Sequence, residues 1–465
     1  KEGSLQRETD GVTLRQTPCT IASVPDDVES LLRQLYQNLE QVELEPTDVR
    51  YVPFEDHLES FGPDVIAELG RDIAWSTPGS TYFLSGLRGS GKSTQLLRLQ
   101  ANLQSQGFAV VRLNAEDYLN IRLPINVTEF LFFLVGGIAD QVETSGWLPD
   151  AGSRIWSRLR DWVQALPRRI EMQPEAKLST GADLGFLQGE VALKASLRAD
   201  ESFVAQLRRF LEGRLSALVA EANEVVDELV DELRSAWPDK AGSNWKGLVV
   251  LVDSLDHIRG DDFDKVRRAL VDVVDHQASS IQLHSTRTAY IVPPWLRVEG
   301  APNRSLSNIK VRDRDKQRFQ PGYETMRTIL QLRCPPDTTT TDFLTEDVLD
   351  GLIHDSGGHL RDFFRLIRSA TVAATADTLP LPDAAIARGR QELREGFIPL
   401  ADDEISYLGR VATTHQVHLA EQHEWETLAN LLDRHLVLGF QNGELWYDVH
   451  PIIADLVTES QPSST

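Results

Sequence analysis

Nine consecutive residues, Gly86-Leu87-Arg88-Gly89-Ser90-Gly91-Lys92-Ser93-Thr94, carry a G-x-x-x-x-G-K-S pattern directly after the apolar run Tyr82-Phe83-Leu84. A buried strand, a glycine-rich turn and a helix in that order form a phosphate cradle. Glycines admit positive φ, so successive backbone N–H groups turn inward around an anion, and the following helix adds the partial charge of its N-terminus. In such a loop Lys92 reaches the β- and γ-phosphates and the Ser93 hydroxyl ligates Mg²⁺. The chemistry implied is binding of a nucleoside triphosphate.

A second run supplies the carboxylates that this chemistry needs. Gly247-Leu248-Val249-Val250-Leu251-Val252 is continuously apolar and ends in Asp253-Ser254-Leu255-Asp256. A strand buried on both faces, delivering acids at its C-terminal end, is where a parallel sheet places its chemistry. Asp253 is expected to hold Mg²⁺ through water opposite Ser93, and Asp256 to orient or deprotonate an attacking water. With Lys92 these are the candidate catalytic residues. The guanine-reading pattern Asn-Lys-x-Asp is absent, which favours ATP over GTP.

Composition narrows the class. The 465 residues carry a net charge of −23 with 41% hydrophobic residues, a balance usual for a globular chain of two to four domains and unfavourable for a protein that coats nucleic acid. No apolar run is long enough to span a membrane, and Lys1-Glu2-Gly3-Ser4 has no signal-peptide core. The two cysteines, Cys19 and Cys334, show no ligand spacing, so a reducing cytoplasm is the expected setting.

The elements that must position these residues read as an α/β P-loop NTPase fold, a parallel sheet covered by helices, with a large helical insertion, a helical lid and a C-terminal winged helix. Residues 1–59 are expected to form an N-terminal arm and a helix over Val28 to Leu44, and 60–335 the ATPase core. Within the core a helix over Val65 to Trp75 precedes the phosphate loop, and Phe108 to Leu113 forms the next strand. Residues 115–246 are too many for a loop. They predict a helix at Thr128 to Val142, an irregular stretch over 145–182, a strand alternating at Val191, Leu193, Ala195 and Leu197, and one long helix from Ser202 to Trp237. This insertion is either structural or a surface for partners. Residues 336–400 form the lid. Residues 401–465 predict helices at Glu404–Thr413 and Trp425–Arg434, then a hairpin turning at Gln441-Asn442-Gly443.

On these motifs the chain resembles signal-transduction ATPases of the STAND class (NACHT- and NB-ARC-like) within the AAA+ superfamily. Asp253-Ser254-Leu255-Asp256 is similar to the acidic motif of NACHT members. Ile281-Gln282-Leu283-His284-Ser285-Thr286-Arg287 resembles the NB-ARC strand whose arginine senses the γ-phosphate, although a strand starting at Thr288 would move that position. Gly357-Gly358-His359-Leu360-Arg361 is like the lid motif whose arginine reads nucleotide state. Val449-His450-Pro451 falls where STAND winged helices carry a histidine on the β-phosphate of ADP. The resemblance thus implies Arg287, Arg361 and His450 as nucleotide contacts, ATP/ADP and Mg²⁺ as cofactors, and Arg304, Arg312 or Arg314 as candidates for an arginine finger. The usual adenine-side motif Gly-Arg-x-x-Glu is absent, leaving the base pocket unassigned.

The function this implies is a slowly hydrolysing ATP switch that couples nucleotide state to domain rearrangement, as a homo-oligomer or with a separate sensor or effector, in a setting such as antiphage defence. The alternative is an origin-recognition-like or transposition-type AAA+ ATPase acting on DNA. Against it, residues 401–465 hold eleven acidic residues and only Arg410 and Arg434 as basic ones, a poor composition for a winged helix that reads DNA. A small-molecule phosphotransferase would need an acceptor site that the sequence does not show.

Overall fold

The computed structural model describes residues 28–165, 190–237, 244–257, 263–302, 304–374, 379–420 and 424–459. The expected arm at residues 1–25 lies outside them.

Five parallel strands form the central sheet: β1 (Thr81–Gly86), β2 (Phe108–Asn114), β3 (Gly247–Asp253), β4 (Thr286–Ile291) and β5 (Arg304–Leu306), in the order β2-β3-β4-β1-β5. Every residue of β3 and β4 is buried, which is why β3 reads as an unbroken apolar run up to Asp253 rather than an alternating one. One core layer lies on each face. Leu84, Leu99, Val110 and Leu251 belong to one, and Phe83, Val111, Phe130 and Val250 to the other. The strand order makes β1 the switch point: the chain leaves it toward β2 and later returns past it to β5. The crevice beyond the C-terminal ends of the strands is where such sheets bind ligands.

Helix Val65–Trp75 forms as the apolar spacing predicts, capped by the Asp64 carboxylate accepting from Ala67 N at 3.0 Å. The first helix is shorter than expected. It ends at Asn38, and residues 39–53 run on without regular helix toward the sheet's C-terminal end. It packs on the lid helix Leu360–Ala373, with the Arg368 guanidinium 4.2 Å from the centre of the Tyr36 ring.

The insertion is helical, with three corrections. Helix Ala151–Ala165 occupies part of the stretch expected to be irregular; Gly136 on helix Val127–Thr144 lets the Trp156 ring lie directly on its backbone. Residues Glu190–Ala199 form a helix, not a strand. Leu193 and Leu197, four apart, are buried while Ala195 between them is exposed, so the helical period prevails. The long helix is two, Glu201–Leu211 and Leu215–Ala236, broken at Gly213.

The region expected to form the lid holds a short helix, Thr340–Phe343, and helices Glu346–Ser356, Leu360–Ala373 and Asp383–Glu395. Beyond it, helices Asp402–Thr414 and Glu424–Asp433 precede an antiparallel hairpin, β6 (Val437–Asn442) and β7 (Glu444–Val449), the element order expected of a winged helix. Core, lid and hairpin meet at one point. A side chain at Gly358 (φ +78°) would collide with the Ile309 carbonyl of the core, and one at Gly357 with Leu438 of β6.

Candidate functional site

Geometry of the phosphate loop and its acids

The loop follows β1 as expected, and Gly91 caps helix Lys92–Ser105. Lys92 is only 6% exposed. Its Nζ donates to the carbonyls of Gly86 and Leu87, both at 2.8 Å, and ion-pairs with Asp256 Oδ2 at 2.9 Å. Burial works to raise the Asp256 carboxyl, but the charges of Lys92, His257 and Arg88 outweigh it and hold the group below its ordinary range. The ammonium is thus folded back onto its own loop and onto the acid expected to handle water.

Asp253 ends β3 opposite Asn114 of β2. Its Oδ1 accepts from Ser254 N at 2.8 Å and its Oδ2 from Arg112 Nη2 at 2.9 Å. Arg112 in turn makes a bidentate pair with Glu43, 2.6 Å on each arm. Leu44 N, next in the chain, donates to Thr94 Oγ1 at 3.2 Å. The segment after the first helix is therefore tied to the phosphate loop and, through Arg112, to the acid expected to hold Mg²⁺.

A cavity of about 350 Å³ opens here, within the usual range of roughly 300–1,000 Å³ for small-molecule sites. Its phosphate end is formed by Arg88 to Gln95 with Asp253 and Asp256, and Arg361 closes it from the lid. Arg361 stands in the first turn of the lid helix and rests against the loop. A Cβ at Gly89, where φ is +85°, would lie 2.5 Å from the Arg361 Cβ. Burial, then the charge of Arg88, lowers the Arg361 guanidinium below its ordinary value. Arg361 Nε and Ser90 Oγ are buried without a hydrogen-bond partner. Cations and hydroxyls crowded at a helix N-terminus with unmet hydrogen-bonding capacity fit a polyphosphate. Ser93 and Asp253 face the same cavity and fit Mg²⁺, an oxygen-seeking cation.

The other end of the cavity carries no sequence motif and was left unassigned above. Tyr51, Val52, Phe54, Phe61, Ile329 and Phe364 supply an apolar wall, and Arg333 lies over the Phe364 ring at 4.8 Å. These residues come from three separate stretches and carry no common motif, so only the fold assembles them. The wall suits a flat, apolar-faced group such as a nucleobase.

Residues placed elsewhere

Arg287 does not reach the site. It stands near the start of β4, paired with Val249, four residues before the level of Asp253, or about 13 Å along a strand. Its guanidinium donates to the Ser76 carbonyl at 2.7 and 3.1 Å and to that of Lys246 at 3.4 Å, and lies over the Phe108 ring. The strand spans Thr286–Ile291, so the resemblance placed a sensor at the wrong end of it.

His450 is also displaced from its expected role. It is wholly buried, packed edge-on to Phe397, and faces Asp362 rather than the cavity. Asp362 is the centre of a buried knot. His359 Nδ1 lies 2.6 Å from Asp362 Oδ2, while His435 Nδ1 and His450 Nε2 stand 3.5 and 3.6 Å from the same oxygen. His359 Nε2 is 2.7 Å from the carbonyl oxygen of Arg88. A carbonyl can only accept, so His359 Nε2 donates to Arg88. Burial alone would raise Asp362; the His359 charge and the surrounding donors hold it well below the carboxylate range. Burial lowers His435 to about 3 and lowers His450 as well, leaving both neutral. His359, Asp362 and His435 bring possible ligand atoms within 4.8 Å, but the 2.6 Å approach is that of a charge-assisted hydrogen bond.

None of the finger candidates is at the cavity. Arg304 binds Asp72, Arg312 binds Asp448 and the Val449 carbonyl, and Arg314 lies 3.5 Å from Glu444. Among the described residues, no helix is long and apolar enough to cross a membrane.

Similarity to known proteins

No protein-family model and no curated protein matches the chain. Solved structures similar to it include Cdc6p from Pyrobaculum aerophilum, at 14% identity and TM-score 0.35 over 92% of this chain and 98% of that one. The ORC2 protein of Aeropyrum pernix, in complexes with ADPNP and ADP, overlaps at 12% identity and TM-score 0.37 over 91% and 96%. A Walker-type ATPase of Pyrococcus abyssi overlaps at 12% identity and TM-score 0.34 over 86% and 96%. Overlaps this loose carry no function. The sheet order and the loop at its switch point stand on their own: the chain has the α/β P-loop fold, with phosphate loop, acidic strand and lid arginine around one cavity.

Proposed function

We propose that the chain is a Mg²⁺-dependent ATPase of the AAA+ type that works as a nucleotide-controlled switch among core, lid and C-terminal domain. The observation that carries this reading is the convergence of Lys92, Ser93, Asp253, Asp256 and Arg361 on one cavity. Lys92 and Arg361 take the phosphates, with Ser93 and Asp253 holding the metal. When bound, Mg²⁺ neutralises charge on the phosphate oxygens. Asp256, once separated from Lys92, is left to orient water. Because the lid rests on the loop through Arg361 against Gly89 and through His359 on the Arg88 carbonyl, the phosphates present at the loop bias how the lid sits.

A STAND-like signalling role, with a homo-oligomer or a partner protein as output, agrees with a site that closes on itself through Lys92–Asp256 and Arg112–Asp253. The reading that the chain acts on DNA draws on the helix–helix–hairpin order of its C-terminus. Its candidate recognition helix, Glu424–Asp433, is acidic, and the neighbouring Arg434 is bound to Glu404. Purified protein should be denatured and the released nucleotide identified by chromatography. ADP near one per chain supports the self-closed switch; an empty site with rapid ATP turnover contradicts it. Fluorescence anisotropy with duplex DNA over a salt series separates the two roles, since a DNA-acting protein binds with strong salt dependence.

A further inference from the structure

Resting on the ATPase reading, we infer that Arg88, carried on the phosphate loop itself, is the cation that stabilises the terminal phosphate during its transfer to water, replacing an arginine supplied by another subunit. Arg88 is the third residue of the loop and lines the cavity beside Lys92, Asp256 and Arg361.

The loop around Arg88 is braced on each side. The carbonyls of Gly86 and Leu87 before it hold Lys92, and the Arg361 side chain lies on Gly89 after it. Its own carbonyl accepts from His359 Nε2 at 2.7 Å. His359 is in turn fixed by Asp362, which His435 and His450 of the C-terminal domain flank. A preorganised cation beside a developing anion needs no reorganisation as charge forms, and that is what makes such a group effective. The Arg88 charge is felt by Asp256, which lines the same cavity.

In the step assigned, the oxygen of water bonds to the terminal phosphorus while the bond from that phosphorus to the β–γ bridging oxygen breaks. Nucleoside diphosphate and inorganic phosphate leave, and the proton of the water ends on the phosphate. Arg88 acts on the oxygens of the transferring group and takes up no proton. His359 is a positioning residue, acting through the Arg88 carbonyl.

The test is single-turnover ATP hydrolysis, with ATP and ADP affinities, for the wild type and for Arg88→Ala, Arg88→Lys and His359→Gln. Removing Arg88 should slow hydrolysis by about 100-fold or more, while ADP affinity changes less than about threefold. Arg88→Lys should recover part of the rate. His359→Gln keeps one donor and should give a smaller loss, with a pH–rate profile different from that of the wild type. A rate for Arg88→Ala within about twofold of wild type overturns the inference, as does equal loss of ATP and ADP affinity at unchanged rate. If Arg88→Ala does not fold, Arg88→Lys decides alone: a wild-type rate in all respects overturns it. The reading beneath it fails separately, if wild type and Lys92→Ala are alike in binding no nucleotide.

Discussion

His359 donates its Nε2 hydrogen to the carbonyl oxygen of Arg88, so the first residue before the lid helix grips the middle of the phosphate loop. The lid is therefore bonded to the backbone that must cradle phosphate, and it reaches the C-terminal domain through Asp362. Phosphate loop, lid helix and C-terminal hairpin thus share one chain of polar contacts, hydrogen-bonded from Arg88 through His359 to Asp362 and continued at 3.5 and 3.6 Å by His435 and His450. This is the physical basis for treating the protein as a switch.

Gly89→Ala tests the contact between loop and lid. The added methyl meets Arg361 at 2.5 Å on a backbone with φ +85°. ATP affinity should fall at least about tenfold, the equivalent of roughly 1.4 kcal/mol, with the lid more open to proteolysis. Unchanged affinity and protection would show that Arg361 does not need this seat.

Glu43→Gln tests the segment that covers the site. Glu43 is half-exposed, so its pair with Arg112 is worth at most about 1 kcal/mol. Losing it should speed nucleotide release by roughly threefold to fivefold, measured with a fluorescent ADP analogue in a stopped-flow chase. An unchanged release rate would mean that the segment does not gate the cavity.

Arg287→Ala should leave nucleotide binding untouched and cost stability. The guanidinium satisfies the Ser76 carbonyl at the end of helix Val65–Trp75 and covers Phe108. A loss of about 1–3 kcal/mol in denaturant unfolding is expected. A selective loss of ATP affinity would restore the sensor role that the structure denies it.

A pH effect comes from the contact between core and C-terminal domain. Asp433 accepts from Arg267 at 3.1 Å and from the Trp295 indole, and burial raises its carboxyl from 3.8 to about 6 despite Arg267. A raised carboxyl means that the folded state binds the proton more tightly than the unfolded state. Stability therefore falls as pH rises from about 4 to about 6, by an amount on the order of 3 kcal/mol, and this contribution is flat above. Asp433→Asn should flatten that slope in urea midpoints measured across the range. A slope unaltered by the substitution would contradict the assignment.

The parts legible in the sequence are those where chemistry fixes both residue type and spacing. A phosphate cradle needs its glycines, lysine and hydroxyl in one short run, and a buried acidic strand betrays itself by its apolar length. Arg361 was legible through the resemblance of Gly357-Gly358-His359-Leu360-Arg361 to a lid motif, and the structure gives both glycines the positive φ such a turn needs. The failures have physical causes too. The run Thr288 to Val292 reads as a strand with or without Thr286 and Arg287 before it, and only the pairing of Val249 with Arg287 chooses between the two starts. Leu193 and Leu197 fit a period of two or of four until their burial is known. His450 carries the right motif, but the depth of the hairpin puts Asp362 between it and the loop. The apolar wall from Tyr51 to Phe364 has no local pattern at all, because three distant segments build it.

The most direct measurement of the central claim is equilibrium binding of Mg-ATP, by calorimetry, to the wild type and to Lys92→Ala. The account predicts one saturable site per chain in the wild type and a loss of at least about 100-fold in affinity when Lys92 is removed. Equal binding by both proteins, or none by a folded wild type, would contradict it.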